Sequence, residues 1–142
     1  MSRINAGRAI LGGLVAGLIF FIGDAIVNGS ILKSEWSEVL KVVGIGADDA
    51  FHNPAYFATY DLLKGLIAIF LYASIRPRFG AGPRTAAIAG LTLWTLVLPV
   101  PMIGLLPMRF LPAAFVAMWS ILALLPILIG TLVGGWLYRE IA

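Results

Sequence analysis

The chain has 142 residues, 61% of them apolar and 12% charged, with a mean hydropathy of +0.99. Soluble domains average about 45–50% apolar and about 25% charged, so this composition excludes a water-soluble enzyme and, still more firmly, a disordered chain. The absence of cysteine and the presence of one histidine, His52, remove disulfides, iron–sulfur clusters, thiol nucleophiles and a bis-imidazole haem.

Four apolar runs follow in order, at about 9–28, 55–75, 85–106 and 113–138. Each can cross ~30 Å of hydrocarbon as a helix rising 1.5 Å per residue. No strand-length alternation suggests a barrel, and backbone groups in lipid must be satisfied within the segment. The expected fold is an all-α, single-domain, four-helix membrane bundle. The net charge of +3 belongs to the links between runs, a topology signal rather than a nucleic-acid surface. Arg3, Arg8, Arg76, Arg78, Arg84 and Arg139 fall on one side, and Lys33, Lys41 and Arg109 on the other. Six against three predicts that both termini are cytoplasmic. The run after Arg3 and Arg8 resembles a signal peptide, but Asp24 and Asn28 occupy the region where cleavage would occur and no Ala-x-Ala site follows. A retained first span is expected.

The segment 29–53 is the largest polar one. Leu32, Trp36, Val39, Leu40 and Val43 recur at helical spacing opposite Lys33, Glu35, Ser37, Glu38 and Lys41, which predicts an amphipathic helix over about 31–43, stopped by Gly44 and Gly46. It is expected to lie in the outer interface, or else to cap the bundle. Asn53-Pro54 then opens the second span as N-cap and first helical residue.

The second span holds the first of two similar endings. Ala68-Ile-Phe-Leu-Tyr72 is similar to Gly134-Gly-Trp-Leu-Tyr138, with Ile75 matching Ile141, and Gly13-Leu14 follows Arg8 much as Gly90-Leu91 follows Arg84. This reads either as a parallel two-hairpin repeat or as membrane composition matching itself. Gly13 and Gly17, Ala86 and Gly90, and Gly130 and Gly134 place small residues four apart, which lets helices approach closely in lipid, either within the bundle or across a dimer seam. Pro99 and Pro101 leave only Thr85–Leu98 uninterrupted in the third span, so its outer half must kink or unwind; Pro126 is expected to bend the fourth.

Three ionisable residues fall inside spans: Asp24, Asp61 and Lys64. A lone charge at mid-bilayer costs at least ~2.5–3.5 kcal/mol, so such residues pair or face water. Asp61 and Lys64, three apart, share a helix face and are expected to pair, ~10 and ~15 Å deep from Pro54. With Asn28 and Tyr60 they outline a candidate intramembrane polar site; the competing reading is a register-fixing ion pair, with Asp24 reaching the interface. His52 beside Asp48 and Asp49 reads as a solvated turn, so neither a metal nor another cofactor is expected.

Three stretches carry a resemblance: Ile4-Asn-Ala-Gly-Arg-Ala-Ile-Leu-Gly-Gly-Leu-Val-Ala-Gly17, Leu71-Tyr-Ala-Ser-Ile-Arg-Pro-Arg-Phe-Gly-Ala-Gly-Pro-Arg84 and Gly130-Thr-Leu-Val-Gly-Gly-Trp-Leu-Tyr-Arg-Glu140. The chain resembles a group of small bacterial four-helix integral membrane proteins to which no activity is assigned. The resemblance implies four spans and a bacterial cytoplasmic membrane, and supplies no chemistry. With no nucleophile–base pair or metal set visible, the first functional expectation is a non-enzymatic accessory protein that binds a membrane partner, or a second copy of itself, through its helix faces in the lipid bilayer. The alternative is a small oligomeric transporter or channel whose Asp/Lys site opens to the outer face. Clustering of the three charges around one cavity favours transport; their separation, with a small-residue face left exposed, favours partner binding.

Overall fold

The computed structural model describes residues 4–139, and these form helices joined by short turns, with no strand among them. Asn5 caps the first helix, its side chain accepting from Arg8 N at 3.1 Å; α1 runs Ala6–Ile26 and continues as a wider π-helical turn, Val27–Ile31. The polar segment folds into α2, Lys33–Val42, and a short α3, Ala47–Phe51. Asn53 caps α4, Pro54–Phe79, accepting from Ala55 N at 3.1 Å. Gly80 and Gly82, both at positive φ, turn the chain into α5, Pro83–Val97. A break at Leu98 leads to α6, Pro99–Leu105, and a 3₁₀ turn, Leu106–Met108; α7 is Ala113–Leu137.

Four helical segments are long and apolar enough to cross a membrane: Ala6–Ile31, Pro54–Phe79, Pro83–Met108 and Ala113–Leu137. The structure departs from the sequence boundaries in the second segment and the polar stretch, and breaks the third segment where its prolines predict. The second segment passes through Pro77 to Phe79 rather than ending near Ile75, because a proline displaces one hydrogen bond near a helix end at modest cost. The stretch after Gly46 is partly helical. The third segment breaks at Leu98 (φ −131°, ψ −72°), as the residue before Pro99 is driven out of the α region, while α7 runs unbroken through Pro126, which packs on Gly23.

Small residues set the helix spacing. A Cβ on Gly13 would stand 2.8 Å from Leu66 Cα and one on Gly17 2.6 Å from Leu62 Cα, while Gly65 meets the backbone of Gly13 and Gly17 in return. Gly134 meets the Gly12 carbonyl, Gly130 lies against the Phe20 ring and Ala16 O, and Gly90 lies against Thr131 and Leu128. Ala86 Cβ sits 3.2 Å from where a Gly135 Cβ would stand. All six small residues singled out in the sequence therefore face neighbouring helices of the same chain.

The two similar endings meet between the helices at one end of the bundle. The Tyr72 and Tyr138 rings cross edge to face, with centroids 6.0 Å apart. Tyr72 OH accepts from Gly82 N, which caps α5, and Tyr138 OH accepts from Asn5 N, which caps α1, both at 3.3 Å. Ala9 and Ala86, Gly13 and Gly90, Gly65 and Thr131, and Ala68 and Gly134 are buried as matched pairs. Gly13 packs on Gly65 as Gly90 packs on Thr131. These reciprocal contacts give the α1–α4 and α5–α7 hairpins a similar local packing. Arg3 and Ile141, which also entered the sequence argument, lie outside the described residues.

Candidate intramembrane polar site

The matching of the two halves does not extend to the charged positions. Where α4 carries Asp61 and Lys64, the matching positions of α7 are Ile127 and Gly130. Both charged residues are buried, Asp61 to 1% and Lys64 to 5% exposure. Lys64 Nζ lies 2.6 Å from Asp61 Oδ1, across one helical turn, and 2.9 Å from Asp24 Oδ2 on α1. The expected pair is thus a three-membered network, and Asp24, whose side chain is 21% exposed, is part of it rather than turned to the interface. The close approach of Gly13 and Gly17 to α4 brings the two helices near enough for this contact. The Lys64 ammonium also sits 4.5 Å from the Tyr60 ring centroid and 5.8 Å from that of Phe20, so aromatic faces complete its shell.

Asn28 ties the network to the polar segment. Its Nδ2 donates to Asp24 O at 3.0 Å and its Oδ1 accepts from Trp36 Nε1 at 2.9 Å. Asn28 lies in the π-helical turn, a local widening that recurs at functional positions. Trp36 projects from α2 and packs edge-on against Phe115 and Trp119 of α7, at 4.9 and 5.0 Å, and against Phe51 of α3, at 6.1 Å. Leu32 and Val39 bury the same face of α2 on Leu111, Phe115 and Val116. On its outer face, the Ser34 hydroxyl donates to Glu35 at 2.7 Å and holds that carboxyl below its usual range.

Together these elements enclose a cavity of about 710 Å³ at the end of the bundle that carries α2 and α3. Asp24, Asn28, Tyr60, Asp61 and Lys64 all line it, so the five site residues singled out in the sequence meet there. The remaining wall is mostly apolar, with Trp36 and Phe51 from the polar segment, Leu98 and Met102 at the proline break, and Trp119 and Ala123 from α7. The aromatic members on α2, α3 and α7 were missed in the sequence. Trp36 sits on the apolar face of its amphipathic helix, and its pairing with Asn28, eight residues earlier, leaves no mark in residue spacing. His52 Nδ1 contacts the Asp49 carbonyl, and among the described residues no three His, Cys, Asp or Glu side chains come together as metal ligands. No family model, curated protein or solved structure matches the chain.

Proposed function

We propose that this protein is a non-enzymatic, multi-pass carrier of the bacterial cytoplasmic membrane whose Asp24–Lys64–Asp61 network is the binding site for a small molecule. One observation carries the reading: the intramembrane charges converge on the wall of a single ligand-sized cavity instead of standing apart. The first expectation, partner docking, drew on the small-residue faces, and those faces are occupied by the chain's own helices. In this reading both termini and the Gly80–Gly82 link face the cytoplasm, following the basic residues. The helix α2 lies at the outer interface, with Trp36 over the cavity and Val42, Val43 and Ile45 exposed toward lipid headgroups. The cavity opens outward in the state described, and passage across the membrane requires the network to separate and re-form toward the inner face.

The absence of native cysteine makes accessibility a direct test. Ala123→Cys, on the cavity wall about 15 Å along α7 from Ala113, should react with a membrane-impermeant maleimide in right-side-out vesicles. Ile121→Cys, on the same helix at nearly the same depth but 68% exposed on the outside of the bundle, should stay unreactive because a thiol in lipid does not ionise. An Ala123→Cys that stays unreactive in both right-side-out and inverted vesicles of a folded protein overturns the reading.

A further inference from the structure

The charge and lining of the cavity together specify the class of its occupant. With all three groups ionised, two carboxylates meet one ammonium, leaving a formal charge of −1 on the wall. Each acid gives one oxygen to Lys64. Among the described residues, Asp61 Oδ1 is buried, receives no hydrogen bond and is met by the ion contact with that ammonium. A surplus negative charge held away from bulk water attracts a counter-charge. A small divalent cation is a poor match, because it seeks six or more oxygens and only two carboxylates converge here, with an ammonium between them. The rest of the wall supplies π faces: Trp36, Phe51, Phe57, Tyr60 and Trp119. Aromatic faces around a carboxylate favour an organic cation with an apolar body, and Lys64 already shows the mode by lying over Tyr60. The volume, about 710 Å³, is within the range of about 300–1,000 Å³ typical of organic-ligand pockets.

We infer that the cavity binds a lipophilic organic monocation, its charge held by Asp24 and Asp61 and its apolar body by the Trp36–Phe51–Trp119 wall. The inference rests on the reading of the cavity as a binding site and adds the class of ligand. Both acids are required, Asp24 from the partly exposed side and Asp61 from the floor. Lys64 offsets one of their two negative charges when the cavity is empty and leaves the other for the ligand.

Three probes of similar bulk and different charge test it on the full chain in lipid nanodiscs: tetraphenylphosphonium, tetraphenylborate and triphenylphosphine oxide. Binding is read by equilibrium dialysis and by quenching of tryptophan fluorescence, Trp36 and Trp119 being on the wall. The cation should bind saturably, and the anion and the neutral oxide at least about tenfold more weakly. Asp24→Asn and Asp61→Asn should each weaken the cation by a similar factor, while Asp48→Asn, on exposed α3 and away from the wall, leaves it unchanged. If either cavity variant fails to fold, the charge selectivity of the unaltered protein still decides. Equal binding of all three probes, preference for the anion, or no saturable binding of the cation overturns the inference. The wider reading falls only if Ala123→Cys is also unreactive, so the two failures are distinguishable.

Discussion

Lys64 has two acid partners, and the consequences of changing each residue of the network differ for that reason. Removing one partner of a buried pair costs about 3–5 kcal/mol when the other charge is left uncompensated. Asp61→Asn does not leave Lys64 in that position, since Asp24 still holds its ammonium at 2.9 Å. The variant should stay folded and lose about 1–3 kcal/mol. Lys64→Met strips the counter-charge from both carboxylates, and its loss should reach about 3–5 kcal/mol. Neutralising all three positions together should recover most of that loss. Denaturant unfolding in detergent micelles measures each; equal losses for Asp61→Asn and Lys64→Met would mean that the Asp24 contact contributes nothing. The Asp61–Lys64 contact is legible in the sequence because three residues make one helical turn. The Asp24 contact is between helices, 40 residues apart, and depends on how closely α1 and α4 approach.

At the level of the helix, that approach is governed by glycine. Gly65 faces the backbones of Gly13 and Gly17, which cannot move aside as a flexible side chain can. Gly65→Ala and Gly17→Ala should therefore each cost about 1–3 kcal/mol through overpacking. Gly104, in α6, has open space where its Cβ would stand, so Gly104→Ala should be neutral or stabilising by up to about 1 kcal/mol from helix propensity alone. Thermal unfolding of the three variants side by side separates the two mechanisms; a Gly65→Ala protein as stable as the parent would mean that the helices can part without loss. The small-residue spacing was readable, since it needs only a four-residue period. Which helix fills each groove was not, because Gly13–Gly17 and Gly130–Gly134 carry the same spacing and pack on different partners. The amphipathic pattern of 31–43 likewise marked an apolar face, and the seat of that face on Phe115 and Val116 comes from the end of α7, more than 70 residues away.

Across the whole molecule, the charged site sits where the two hairpins differ. The Tyr72–Tyr138 contact and the reciprocal bonds to the N-caps of α5 and α1 join the two hairpins at one end. The opposite end is free to diverge, with Asp61 and Lys64 in one half and Ile127 and Gly130 in the other. The matched endings were visible in the sequence as a short similarity; only the packing of the two tyrosines distinguishes a structural repeat from shared membrane composition. Four helices of membrane-spanning length put Ala6 and Ala81 at the basic end and Asp48 and Met108 at the end that bears α2, α3 and the cavity. If Arg8, Arg76, Arg78 and Arg84 orient the chain, impermeant maleimide should label Asp48→Cys and Met108→Cys in right-side-out vesicles, and Ala6→Cys and Ala81→Cys only after inversion. Labelling in the reverse pattern would keep the bundle and its cavity intact but turn the binding site toward the cytoplasm, because the position of the cavity within the bundle does not depend on which face the arginines select. Mixed labelling at both ends in one preparation would mean that the basic links do not fix a single orientation.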